Sequence, residues 1–275
     1  MAARPVTASR YERGLALLEQ VSGPAGPAVI GSLADIAPDL GRLTVEFYGD
    51  IYDRPGLTLR QRQLINIAAL TALGTAAPQL RFHTAAALHI GVTCREVVET
   101  IMHMSVYAGF PATLNELAMA REAFASKPDT ADAALTDGQI RLGETSADRY
   151  QRGLEALERI DGHAGTQVIA SLQDIAPDLA RYIIEYSFGD IYSREGLDLK
   201  TRELVTVAAC TAMGTAAPQL RVHLHGLLNV GGTREEAVEA IMQMVGYAGF
   251  PAALNGIVAA REVFNQRGPE PDGTQ

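Results

Sequence analysis

Thiols are scarce in this chain: 275 residues contain two cysteines, Cys94 and Cys210. They stand at non-equivalent places, so no disulfide framework is implied and both are expected to be free in a reducing compartment. Long apolar runs are missing too, and no stretch approaches the ~20 residues needed to cross a bilayer. The opening MAARPVTASRYERG lacks the apolar segment of a secretory leader. A basic excess is also lacking. Lys and Arg total 23 against 32 Asp and Glu, a net charge of −9, which argues against general affinity for nucleic acid or an anionic membrane. No segment alternates at period two, the mark of a half-buried strand. These absences leave a cytoplasmic, strand-free protein whose expected partner is a small molecule.

What is present is one unit written twice. YERGLALLEQVSGPAG from Tyr11 returns as YQRGLEALERIDGHAG from Tyr150, and SLADIAPDL from Ser32 as SLQDIAPDL from Ser171. GTAAPQLR stands at Gly74–Arg81 and again at Gly214–Arg221, and YAGFPATLN from Tyr107 becomes YAGFPAALN from Tyr247. More than half of the aligned positions are identical, with a one-residue insertion near Ser187–Phe188. Two copies of this size make a fused pair of domains rather than a solenoid. The expected limits are 8–125 for copy one, 126–148 for a polar linker, 149–266 for copy two and 267–275 for a disordered tail.

Apolar residues recur at three- and four-residue steps, as in Leu64, Ile67, Ala68 and Thr71 and again in Leu204, Val207, Ala208 and Thr211. Gly74 and Gly214 follow as helix stops. Thr93 with Glu96, and Thr233 with Glu236, fit capping boxes. Val97, Ile101 and Met104 are the expected apolar face of the helix that follows in copy one, and Val238, Ile241 and Met244 in copy two. Pro111 and Pro251 suit the first turn of a last helix. The fold class is therefore all-α, with about six helices per copy.

The run from Arg202 to Asn255, with Arg-Glu-Leu, a histidine after GTAAPQLR, Gly-x-Thr-x-x-Glu and Tyr-x-Gly-x-Pro, resembles the carboxymuconolactone decarboxylase family, the all-helical relatives of alkylhydroperoxidase D. The likeness covers the body of both copies and is better in copy two. It implies a homo-oligomer: a fused pair would replace a subunit dimer, so a trimer forming a six-domain ring is favoured, with a dimer as the alternative. Peroxidase members of that family carry a Cys-x-x-Cys-type pair where this chain has Thr-Ala-Ala-Pro in both copies. Thiol–disulfide chemistry needs two sulfurs within bonding distance, so peroxidase activity is not expected.

Carbon–carbon lyases of the family work by acid–base chemistry, and the matching positions are Glu203 and His223. Copy one keeps His83 but has Gln63 in place of the glutamate, and an amide neither takes nor gives a proton near neutrality. An intact relay is therefore expected in copy two alone. The function implied is a cofactor-independent lyase or isomerase acting on a small carboxylated or lactone-like substrate, with no metal. The alternative is a non-catalytic helical binder or scaffold. Arg81 and Arg221 are candidate clamps for a substrate carboxylate, and His225 is a further candidate for lining a pocket. Tyr107 and Tyr247 are expected to pack at the junction of the two domains, with lining a pocket as the alternative. Two residues along a helix turn through about 200°, so neither Arg221 nor His225 shares a face with His223 by default, and the two histidines lack metal-site spacing. His89 and His103 read as surface or core polar residues, and His163, in a glycine-flanked turn, carries almost no signal. Glu203 and His223 also lie at unequal helix rise from the turn between them, about 16 Å against roughly half that. A tilted crossing, a water or a neighbouring domain is needed to join them.

Overall fold

The computed structural model describes residues 8–126, 135, 138–161 and 164–269, and among these there are helices, turns and no strand. The first half contains α1 (Arg10–Ser22), α2 (Ala25–Gly31), α3 (Pro38–Phe47), α4 (Leu59–Leu73), α5 (Ala77–His89), α6 (Cys94–His103) and α7 (Ser105–Ala125). The second contains α8 (Ser146–Asp161), α9 (Ala164–Ala170), α10 (Pro177–Tyr182), α11 (Leu199–Met213), α12 (Ala217–Asn229), α13 (Arg234–Gln243) and α14 (Val245–Arg267). Each half also has a π-helical stretch, Tyr48–Tyr52 and Ile183–Tyr192. The count thus exceeds six per copy. The additional helices α2 and α9 are too short to show a period, and AGPAVIG reads locally as a turn. Residues 127–134 and 136–137 of the expected linker, most of the expected tail, and His163 fall outside the described residues.

Local chemistry explains the boundaries that matter for the site. Gly74 and Gly214 end α4 and α11 in the left-handed conformation, at φ 65° and 69°, which costs glycine no Cβ clash. Pro78 and Pro218 then lie in the first turn of α5 and α12, where a missing N–H goes unnoticed. Both threonine–glutamate capping boxes form. Met104 and Met244 are buried with Val97, Ile101 and Ile241. Val238 is only half-buried, and Ala237 fills the place corresponding to Val97.

The centre of the molecule is α4 against α11. Every residue from Arg202 to Ala212 is buried, and Leu64, Ile67, Ala68, Leu204, Val207 and Ala208 belong to one continuous core. A helix apolar on all sides must lie inside, so the two halves share a core rather than standing apart.

At the periphery, α1 and α8 approach the backbone of their own halves through glycine. A Cβ on Gly14 would lie 1.8 Å from the Val45 carbonyl oxygen, and one on Gly153 would lie 2.1 Å from that of Ile184. Alanine favours a helix by up to about 1 kcal/mol over glycine, but a backbone carbonyl inside packed helices cannot give way. Gly153→Ala is expected to destabilise by about 1–3 kcal/mol, read from the urea midpoint. A midpoint raised by the substitution would show that the contact relaxes freely.

Candidate active site

The polar residues sit where α4 and α11 begin. In the second half, His223 Nδ1 lies 2.9 Å from Glu203 Oε2. Glu203 is fully buried, whereas 12% of the His223 side chain remains exposed. Contact is direct, so no water or neighbouring domain is needed. Gly226, one turn beyond His223, leaves room for the carboxylate where it lies: a Cβ there would stand 2.7 Å from Glu203 Oε2. Its counterpart in the first half is Ala86.

A carboxylate only accepts hydrogen bonds, so Nδ1 of His223 donates to Glu203. Nε2 then faces Tyr107 Oη at 3.1 Å. Tyr107 belongs to the first half. It sits just before Gly109, whose φ of 80° kinks α7 ahead of Pro111, and this bend lets it reach α12. Its hydroxyl lies 2.7 Å from that of Tyr192. Tyr192 in turn meets Thr206 Oγ1 at 3.4 Å, and His103 Nε2 meets the same oxygen at 2.9 Å. The second-half site is therefore composite, with Tyr107 and His103 supplied by the first half. Burial, with the Glu203 charge next, holds the Tyr107 phenol well above its ordinary value. It stays a proton-bearing donor.

The first half repeats the arrangement with different chemistry. His83 Nδ1 lies 2.9 Å from Gln63 Oε1, and Nε2 lies 3.2 Å from Tyr247 Oη of the second half. Tyr247 meets Tyr52 at 2.8 Å. Asn66 and Gln243 occupy the places of Thr206 and His103, joined at 2.6 Å. Burial lowers the His83 pKa to about 3.

That shift has a stability consequence. The folded ring stays neutral down to about pH 3, while an unfolded histidine protonates near 6.5. Between those values the unfolded chain binds the additional proton, so stability is lost as pH falls through this window. From pH 7 to 4.5, His83→Gln is expected to lose about 2.5 kcal/mol less stability than the parent protein. Urea titrations at both pH values measure this, and equal losses would contradict it.

A cavity of about 300 Å³ opens onto the second-half site. His223, Tyr107 and Tyr192 line it, together with apolar walls from Val106, Leu157 and Ile183. Among the described residues no arginine or lysine lines it. Arg221 instead pairs with Glu262 on α14, and His225 Nε2 lies 3.1 Å from Gln266 Oε1 on the same helix. Arg81 lies 3.8 Å from Glu122 on α7. None of the three lines the cavity: positions two residues either side of the site histidine face the opposite way on the helix. His89 is exposed and His103 is buried.

Residues 38–122 and 177–262, more than half of the chain, match the carboxymuconolactone decarboxylase family model. The chain belongs to the carboxymuconolactone decarboxylase family. The two matched regions agree with the internal duplication. The 4-carboxymuconolactone decarboxylase of Acinetobacter baylyi is 35% identical over 125 residues, 45% of this chain and 92% of that protein. Nitrosuccinic acid decarboxylase npaB of Metarhizium robertsii is 30% identical over 83 residues, 30% of this chain and 57% of that protein. Peroxisomal protein 2 of Schizosaccharomyces pombe is 29% identical over 142 residues, 52% of this chain and 63% of that protein.

Within this family member, several site residues had escaped the sequence reading. Tyr192 and Thr206 lie outside every motif used to find the site, Gly226 ends the stretch GTAAPQLRVHLHG but carries no role in that reading, and His103 reads there as an ordinary polar residue. The signal for Gly226 was its replacement by Ala86 in the half that also lost the glutamate.

Proposed function

We propose that the second half is a decarboxylase of a small carboxylated or lactone-like substrate, working through the acid–base groups of the chain itself. The observation that carries this reading is the Glu203–His223 pair at 2.9 Å, with the imidazole edge on a cavity. The relatives named as decarboxylases support the same class of reaction. The cavity walls favour a substrate with an apolar body.

Loss of carbon dioxide leaves the electron pair of the broken C–C bond on the substrate as an enolate. The Tyr107 O–H, released from His223 by the incoming substrate, donates to the enolate oxygen. Protonated His223 gives its Nε2 proton to carbon and recovers one from solvent, with Glu203 holding the ring and stabilising its charged form. Thiol chemistry fits poorly: burial, aided by the Glu203 charge, raises the Cys210 pKa to about 12, so no thiolate forms near neutrality.

Carboxyl-¹³C-labelled 4-carboxymuconolactone and nitrosuccinate, with a panel of β-keto and unsaturated lactone acids, test the reading in D₂O. The expected result is ¹³CO₂ with deuterium in the product. No release above buffer from any of them would refute it.

We also propose that copies of this chain associate. Ile36, in the turn before α3, and Leu40 and Leu43 on α3 are exposed, and Ile175, Leu179 and Tyr182 repeat the pattern in the second half. A symmetric assembly covers both stripes at once. Light scattering is expected to give a multiple of 29.3 kDa, with three chains favoured. A monomer at micromolar concentration would exclude it.

A further inference from the structure

The two halves differ by one residue of length, and the difference falls on the cavity wall. Phe47 is followed directly by Tyr48, whereas their counterparts Tyr186 and Phe188 are separated by Ser187. The chain absorbs the additional residue in the π-helical stretch Ile183–Tyr192, ten residues against five in Tyr48–Tyr52. Such stretches often mark functional sites. Here Ile183, Ser187, Phe188 and Tyr192 all line the cavity.

The wider turn also aims the aromatic residues differently. Tyr186 turns away from the site, its hydroxyl 2.6 Å from Ser105 Oγ and its ring 5.6 Å from that of Phe110. Phe47 instead lies against Gly246, where a Cβ would stand 2.6 Å from the ring. Gly246 is the counterpart of Val106, which lines the open cavity. Phe82 replaces Val222 and sits edge-on to His83 at 5.2 Å. Tyr48 stacks on Tyr52 at 4.3 Å as Phe188 stacks on Tyr192 at 5.0 Å, but Tyr48 is buried and Phe188 only half-buried.

We infer that the insertion of Ser187 opens the second-half cavity to a small molecule, and that its absence, with Phe47 and Phe82 turned inward, closes the first half around His83. The inference rests on the proposed reaction only for the identity of the ligand. Access is what it asserts, and access is measurable without turnover.

Diethyl pyrocarbonate acylates neutral imidazole, and mass mapping of fragments separates His223 from His83. In the parent protein His223 is expected to react at least about ten-fold faster, because a sealed ring must wait for local opening. Deleting Ser187 together with Val106→Gly and Val222→Phe is expected to slow His223 to the rate of His83; the first half shows that this fold closes with that set of residues. The reciprocal variant, a serine inserted between Phe47 and Tyr48 together with Phe82→Val, is expected to speed His83 by a similar factor. It decides the matter if the deletion does not fold. A folded deletion variant with unchanged His223 reactivity, or a folded reciprocal variant with unchanged His83 reactivity, would overturn the inference. A failed decarboxylase assay would leave these rates untouched.

Discussion

Glu203→Gln is expected to lower kcat by about 10²- to 10⁴-fold, roughly 3–5 kcal/mol of activation free energy, with KM nearly unchanged. The protein itself supplies the structural control. Gln63 occupies the equivalent place and holds His83 Nδ1 at 2.9 Å, the same distance as in the Glu203 pair. A glutamine can therefore orient the imidazole on this backbone. What it cannot do is balance a positive ring in a buried setting. Geometry and charge are thus separable, and the loss should appear in the step where His223 carries its proton. Glu203 also has a buried Oε1 with no hydrogen-bond partner among the described residues. Removing that charge relieves a desolvation cost, so the urea midpoint should hold or rise. The informative measurement is the steady-state split between kcat and KM beside the unfolding curve. Full activity in a well-folded Glu203→Gln variant would leave Glu203 a structural group and remove the acid–base reading.

How much of this was legible in the sequence varies with the kind of information involved. Helix ends were, because Gly214, Pro218 and the Thr233–Glu236 box act within one turn of chain. The Glu203–His223 pair was named, but its contact was not derivable from helix rise. Register depends on how α12 crosses α11, and the first half reaches the same 2.9 Å contact with Ala86 in the place of Gly226, so no single residue records it. Tyr107 and Tyr247 were expected at the junction of the two domains, but that each reaches the histidine of the opposite half was not legible. Nothing local in Tyr-Ala-Gly-Phe-Pro records that α4 and α11 share one core, and that sharing carries each tyrosine to the other histidine. The inserted Ser187 was visible as a length difference. Its meaning appeared only when the additional residue was found within a π-helical wall.

Glu99→Met is expected to destabilise the protein by about 3–5 kcal/mol, and by more than Arg202→Met. Glu99, on α6 of the first half, accepts hydrogen bonds from Arg194 at 2.8 Å and from Arg202 at 3.3 Å in the second. Arg202 is fully buried, and its Nε and Nη1 have no hydrogen-bond partner among the described residues. Burial accordingly pushes its pKa below the ordinary arginine value. Without Glu99, that guanidinium keeps one bond, to the Arg194 carbonyl oxygen at 2.9 Å, and no counter-charge. Without Arg202, Glu99 still has Arg194, so the cost is smaller. Replacing both by methionine removes the stranded charge and should recover most of the loss, a coupling that a double-mutant cycle in urea measures. Arg202 directly precedes Glu203, so Glu99→Met should also lower turnover at a site that residue 99 does not line. The order of the two single variants decides the argument. If Arg202→Met were the more damaging, or the double variant worse than Glu99→Met, the arginine would be stabilising the fold by packing, and the cross-half ion pair would not be what sets α11 in place.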